Sequence, residues 1–466
     1  MRIHVLADTG AYGNHGPGVL ETGCAEGLAP YRCPNVTVDA YSVRTHNVPS
    51  GAFRGYGAAQ IVFAVESALD DLAHRLGLDP LTMREGACLR PGDRALFPGA
   101  GGQHALMGSA LHDVLHALRQ AREDRYLEER PAPPGCRVGE GLAIAAHHSV
   151  PADGHLAQAM ASLAADGCYD LAIGAPEFGS GAGTALRRIA ARTLGTTPAR
   201  IRLHQADTDL LEHDSGGFAS TAVPLTGQAV TRACQELAEL LLRTAAMVAG
   251  TPCDDCRLAQ ETVLCAGTSV PLSEVHRYAQ SAGLRLQAGA TAAADDAELS
   301  LSVSAQYFRI GVDPDTGVIS VLDSVHIADA GRIVHAEQSR AQVEGAVVQG
   351  LGCTLREELI TDLDGRITTP DLRTYSIPLL GDFPPTYVRF IDHDNTTAPK
   401  PLAELAINPI APALANAVHH ALGIRLRTLP LRPDSVWSAL ASRCGSYRTD
   451  APGDRDSPTA RGDQPS

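Results

Sequence analysis

The sequence predicts an α+β fold with mixed sheets and flanking helices. Three observations lead there. Short strand-like runs, such as Ile3–Ala7 and Val36–Val43, recur among stretches with helical spacing instead of forming one block. Gly- and Pro-rich turns punctuate them throughout. The 466 residues are 44% apolar and 20% charged, a globular composition; with aromatics at 4%, Ala, Val, Leu and Ile must build the interior.

Taken in order, the two opening strands are followed by a helix within 55–76, where Ile61, Val62, Val65, Ala68, Leu69, Leu72 and Ala73 fall at helix spacing. Gly77-Leu-Asp-Pro80 ends it, and helices are expected over 81–89 and 105–123. Residues 126–136, containing Arg130-Pro-Ala-Pro-Pro-Gly135, read as a linker between a first domain, 1–125, and a second, 137–445. The second domain opens with a strand over 141–147 and a hairpin partner around 156–163. A strand over 169–174 then feeds a helix to Leu194. Helices near 226–249 and 272–282, strands at 298–311 and 318–327, and a long helix over 338–359 follow. The last elements are a helix over 412–422 and a strand near 428–431. Residues 446–466 lack periodicity and are expected to form a disordered tail.

The formal charge of −15 argues against a nucleic-acid or anionic-membrane surface. No apolar run reaches the ~18 residues of a membrane span, and the start has no signal-peptide pattern, so a cytoplasmic location is expected. Eleven Cys, an odd number, point to a reducing compartment and free thiols. Cys253, Cys256 and Cys265 fit a polar loop or an incomplete metal site. The doublets His147-His148 and His419-His420 make poor chelates, because adjacent side chains diverge.

Four Gly-rich strings stand out: Gly51–Gly57, Gly179–Gly183, Asp214–Thr221 and Gly345–Gly352. A Gly-rich turn at a helix start can bind an anion through its N–H groups, or can simply turn. None fits a dinucleotide or Walker pattern. Arg54, flanked by Phe53 and Tyr56, suits oxyanion recognition, with Tyr56 as a stacking face; taken alone, the residues favour a surface Arg beside a half-buried ring. Glu404, in Lys400-Pro-Leu-Ala-Glu-Leu-Ala-Ile-Asn-Pro409, is an acid among apolar neighbours, either a desolvated base or an ordinary solvated carboxylate. Lys400 is the single Lys of the chain.

Through these strings and others, the chain resembles the molybdenum-binding subunit of the xanthine dehydrogenase/aldehyde oxidase family, the molybdenum hydroxylases. The matching stretches are Thr9–Gly18, Tyr31–Asn35, Pro49–Gly57, Asp214–Ser220, Gln342–Gly352 and Ile407–Ala417, in the family's order. The likeness is closer to xanthine and related heterocycle dehydrogenases than to carbon monoxide dehydrogenases. It implies molybdopterin-binding domains, the first of them represented by its rear part only. It also implies molybdenum held by molybdopterin, in bacteria often the cytosine dinucleotide. Iron–sulfur clusters and FAD are expected on partner chains, along with a small-molecule substrate. The reaction implied is hydroxylation of a purine, another N-heterocycle or an aldehyde at a C–H bond, with water as oxygen source.

By the same resemblance, Glu404 matches the base that deprotonates the attacking oxygen, and Arg54 and Tyr56 match substrate-binding positions. Gly181, Ala219, Ser220 and Gln342 match cofactor-contacting segments, while Lys400 falls where the family often has Lys four residues before the base. Three departures accompany it. The family's N-terminal part, with its Gly-Gly-x-Phe-Gly loop, does not occur in the sequence; it is expected either on a separate chain or lost from this one. Ser180 stands where the family has a cofactor-binding Gln, and a hydroxyl lacks the amide's donor-plus-acceptor reach. The base lies in Ala-Glu-Leu where Gly-Glu-Pro or Ser-Glu-Ser is more usual. These departures keep open an alternative, a non-catalytic remnant or assembly protein without molybdenum.

Overall fold

Strand β1 (Arg2–Asp8) pairs in parallel with β2 (Thr37–Val43), and helix α1 (Gly16–Glu26) makes the crossover that a parallel pair requires. The computed structural model describes residues 1–90, 92–97, 102–105, 110–123, 130–148, 154–293, 301–393 and 397–445. Helix α1 was not anticipated, for a packing reason. A Cβ at Gly16 would lie 2.1 Å from the Thr9 side chain, and one at Gly23 would lie 2.6 Å from the Gly57 carbonyl. Glycines demanded by close contact make a helix look like a turn in the sequence.

Helices α2 (Ala58–Leu76) and α3 (Pro80–Ala87) follow, then hairpin β3 (Arg94–Phe97) and β4 (Gly102–Ala105), then α4 (Leu111–Glu123). Pro80 opens α3, and Asp79 caps it by accepting the Thr82 N–H at 2.8 Å. Next come β5 (Arg137–His148), β6 (Leu156–Leu163), β7 (Tyr169–Ile173), α5 (Ala182–Thr193), β8 (Ile201–Gln205) and α6 (Pro224–Ala249). A small antiparallel sheet of β9 (Cys256–Ala259), β10 (Thr262–Cys265) and β11 (Thr268–Pro271) precedes α7 (Leu272–Ser281) and β12 (Gln287–Ala293). The chain continues through β13 (Leu301–Val312), β14 (Ile319–Asp329), α8 (Ala336–Leu355), α9 (Leu372–Tyr375) and β15 (Tyr387–Phe390). Helices α10 (Ile410–Leu422) and α11 (Pro433–Gly445) come last.

Two four-stranded mixed sheets organise these elements, β15-β14-β13-β5 and β12-β6-β7-β8. Each is antiparallel except for one edge pair, β14 with β15 and β7 with β8. Strands β5 and β6 therefore belong to different sheets, which corrects the expected hairpin between them. Strand β5 pairs instead with β13, from Val312 opposite Arg137 to Leu301 opposite His148. Helices cover both of its faces. Leu142 and Ile144 share a core with Leu111, Leu115 and Leu118 of α4, whereas Ala143 packs with Val343 of α8 and Ala413 of α10. Helix α10 lies so close that a Cβ at Gly141 would be 2.2 Å from the Ala417 nitrogen.

Four further expectations are corrected. The long helix ends at Leu355, not 359, and α4 begins at Leu111, because Ala105 belongs to β4. No strand forms at 428–431: Pro430 has no N–H to give to a ladder, and the Leu431 N–H goes to the Thr354 carbonyl at 2.6 Å. Helix α11 was missed. Cys256 and Cys265, opposite each other in the β9–β10 register with Cα atoms 4.1 Å apart, form a disulfide, so the thiols are not all free. The expected tail at 446–466 and linker residues 126–129 lie outside the described residues. Among the described residues, no helix is long and apolar enough to cross a membrane.

Candidate active site

Two other segments converge on Arg54. Its Nε donates to the Ala403 carbonyl, and one terminal nitrogen donates to the Gln342 carbonyl at 3.0 Å and to its side-chain oxygen at 3.4 Å. The other terminal nitrogen reaches Gln349 Oε1 at 3.5 Å. The guanidinium thus ties the loop before α2 to α8 and to the segment carrying Glu404. Burial draws the Arg54 pKa down, and the charge of Glu404 pulls it back up. The Gln342 amide in turn donates to the Gly179 carbonyl at 3.4 Å, joining α8 to the turn before α5.

Glu404 itself is held from the 214–221 loop. The Ser220 hydroxyl donates to Glu404 Oε2 at 3.3 Å and accepts the Glu404 N–H at 3.1 Å. This exchange requires unusual backbone: Ala219 and Ser220 have φ of 50° and 58°, left-handed values that cost non-glycine residues about 1–2 kcal/mol each. His147, from the end of β5, completes the cluster, its Nε2 3.6 Å from Glu404 Oε2 and its Nδ1 2.7 Å from Glu26 Oε1. Sequence reasoning weighed His147 only as a chelate and did not find Glu26. Nothing local marks them, since α1, β5 and the Glu404 segment meet only in the fold.

Burial alone would lower the His147 pKa. Glu26 first, then Glu404 and the Ala219 carbonyl, reverse this and push it up to about 9. Its folded value thus exceeds the ordinary 6.5, so this ionisation contributes stability that is complete below pH 6.5 and lost as pH rises through about 9. The urea midpoint of the parent chain should therefore fall over that range more steeply than that of His147→Gln. Equal slopes would contradict the assignment. The neighbouring His148 behaves oppositely, burial holding it below the usual histidine range.

Tyr56 is turned toward α1, its hydroxyl 2.9 Å from His15 Nδ1. The loop that carries it is tightly specified. Gly57 has φ +89°, and a Cβ there would sit 2.0 Å from the Val19 carbonyl oxygen. Gly77, at φ +66°, has nothing within 4 Å of the same added atom. Gly77→Ala should therefore cost only the left-handed penalty of about 1–2 kcal/mol, and Gly57→Ala clearly more in urea unfolding. Equal losses would show that α1 yields freely.

The Gly179–Gly183 turn is not an open anion site. Glu177 fills it, its carboxylate accepting the N–H groups of Gly179, Gly181 and Gly183 at 2.8–3.2 Å and the Ser180 hydroxyl at 3.2 Å. Burial would raise the Glu177 carboxyl, but these donors outweigh it and leave it below the usual range. The Gly345–Gly352 string is likewise no turn. It lies within α8, where a Cβ on Gly350 would meet Ile410 of α10 at 2.8 Å. The Lys400 ammonium is engaged by Asp329 at 2.5 Å and by the Leu301 carbonyl at 3.3 Å.

Several buried polar atoms around these loops have no hydrogen-bond partner among the described residues: Gln338 Oε1, Asp214 Oδ2 and both amide atoms of Asn408. Gln338 lies against Gly181, Asp214 against Gly174 and Asn408 against Gly55. Unpaired acceptors and amides suit a heterocycle edged with alternating donors and acceptors, as a pterin is. The residues fit such a group, with phosphate excluded from the Glu177 turn.

Two mixed sheets with flanking helices, carrying a cluster of Glu26, His147, Ser220 and Glu404, define an α+β protein. Residues 115–384 and 1–87 each match a family described as molybdopterin cofactor-binding domain, and the chain belongs to that family. It is 30% identical over 451 residues to the probable hypoxanthine oxidase XdhD of Escherichia coli, covering 94% of this chain and 47% of that protein. It is also 30% identical to the putative xanthine dehydrogenase molybdenum-binding subunit XdhA of the same species, covering 93% of this chain and 59% of that one. The chain thus spans about half the length of the curated relatives it matches. Among solved structures, quinoline 2-oxidoreductase from Pseudomonas putida superposes with a TM-score of 0.80 at 24% identity, covering 91% of this chain and 57% of that one. Aldehyde oxidoreductase from Desulfovibrio gigas gives 0.78 at 22% identity, covering 94% and 47%. The fold is that of the molybdenum hydroxylases.

Proposed function

We propose that this chain is the cofactor-holding part of a molybdenum hydroxylase that oxidises a purine, another N-heterocycle or an aldehyde. The observation that carries this reading is the convergence of Arg54, Gln342, Ser220 and Glu404. The bound cofactor, molybdenum on molybdopterin in its cytosine dinucleotide form, supplies the centre that accepts two electrons from the substrate. Overall, R–H and water give R–OH, two protons and two electrons. Glu404 takes a proton from the attacking oxygen, Ser220 and His147 hold its carboxylate, and Arg54 orients the electron-rich side of the substrate with Tyr56 beside it. Gln342, Gly181, Ala219 and Ser220 would line the bound pterin. Electrons leave to iron–sulfur and FAD subunits, and the assembly works in the cytoplasm.

The test is turnover in ¹⁸O-labelled water by the chain co-expressed with the reading frame adjacent upstream. Xanthine, hypoxanthine, quinoline and benzaldehyde serve as substrates, with a dye as electron acceptor. Labelled hydroxylated product supports the reading; product without label overturns it. One observation favours a second reading, a scaffold without molybdenum. Ser180, in place of an amide, spends its hydroxyl on Glu177 and on the Ala182 N–H.

A further inference from the structure

The doublet His147-His148 lies where β5 meets the C-terminal end of α1. Glu26, the last residue of α1, is fully buried, and its carboxylate has no hydrogen-bond partner among the described residues. The charges against it are His147, at 2.7 Å, and His148, at 3.9 Å. The other edge of the His147 ring faces Glu404 Oε2 at 3.6 Å and the Ala219 carbonyl at 3.4 Å. Each ring nitrogen therefore has an oxygen close by: Nδ1 is paired by charge with Glu26, and Nε2 is hydrogen-bonded to the Ala219 carbonyl. A neutral imidazole has one N–H, so one lone pair would face an oxygen lone pair; only the imidazolium offers a proton on both sides.

We infer that His147, clamped by Glu26, is a permanently charged positioning residue that fixes Glu404 for proton transfer. The inference rests on the reading of Glu404 as the base. It also sets a direction for the proton. An imidazolium is already full, so His147 does not receive what Glu404 takes up, and that proton leaves Glu404 on the side away from the imidazole. A buried Glu–His pair serving only to neutralise charge has no need of a second carboxylate on its far side. The groups facing this chain of charges are Glu26 from α1, His148 from β5, the Ser220 hydroxyl, and, around Glu404, Arg54 and Tyr56. Arg54 and His147 stand as two cations against the carboxylates of Glu26 and Glu404.

Histidine-selective ¹³C labelling of the full chain reads the state of His147 directly, the signal being assigned by its loss in His147→Gln. Of the eighteen His, this ring should stay protonated to about pH 9, and Glu26→Gln should lower its midpoint by at least about one unit, a tenfold change in proton affinity. In the loaded enzyme, the alkaline limb of kcat/KM should track the same midpoint and move to lower pH in Glu26→Gln. A purely structural role would leave that limb in place. A His147 ring neutral at pH 7 in the parent protein overturns the inference without any variant, as does an alkaline limb unmoved by Glu26→Gln. The two readings separate cleanly. Loss of activity in Glu404→Gln with no effect of Glu26→Gln overturns the positioning role alone, whereas full activity in Glu404→Gln removes the base and the positioning role with it.

Discussion

Glu404→Gln is expected to lower kcat/KM of the loaded enzyme by about 10²–10⁴-fold, the usual contribution of a positioned general base, while metal content stays unchanged. The amide keeps the shape of the side chain and can still accept from Ser220, but it takes up no proton at neutral pH. The loss should appear in kcat with little change in KM, because the carboxylate acts on the attacking oxygen and not on the bound substrate. Glu404→Asp should fall between the two, since a shorter side chain keeps the charge but withdraws it from Ser220 and His147. Activity of Glu404→Gln within about threefold of the parent, at equal metal content, would remove this residue from the chemistry.

The largest expected effect on stability lies elsewhere, in the core beneath α2. Glu66 and Arg84 are both 1% exposed and pair at 2.8 Å. The Tyr31 hydroxyl also donates to Glu66, as does the Ile144 N–H at 3.1 Å, while Arg84 donates onward to the Pro80 carbonyl at 2.9 Å. One carboxylate thus joins α2, α3, β5 and the turn after α1. Arg84→Met would leave that carboxylate buried without its cation, at a cost of about 3–5 kcal/mol. The double variant Glu66→Met, Arg84→Met should recover much of the loss, because removing both charges also removes their desolvation. A urea midpoint unchanged in Arg84→Met would show that the pair is held in water after all. A double variant no better than the single one would shift the weight to the hydrogen bonds of Tyr31 and Ile144.

How far the sequence alone reaches differs from element to element. Helix α2 was legible because its apolar residues repeat at helix spacing and bury one side, from Ile61 to Ala73. Helix α1 was not, because its Gly residues answer to Thr9 and Gly57, which lie far away in the chain. Strands β5 and β6 were found, but their partners, β13, β12 and β7, are set by which faces the helices cover and not by nearness in sequence. In the site, the motif strings brought Arg54, Ser220, Gln342 and Glu404 to attention, and the fold draws them together through direct hydrogen bonds. Glu177 was hidden in plain view. Counting glycines suggested an anion cradle, and only the folded loop shows that its own carboxylate occupies it. Glu26 and His147 carry no pattern at all, since a buried charge pair is defined by proximity alone.

The central claim is that these loops hold molybdopterin, and molybdenum content tests it most directly. The chain, co-expressed with the adjacent upstream reading frame in a host that makes the cofactor, is purified and its metal measured by elemental analysis. One molybdenum per chain is expected. No molybdenum, with the complex intact and the host's other molybdenum enzymes loaded, would contradict it.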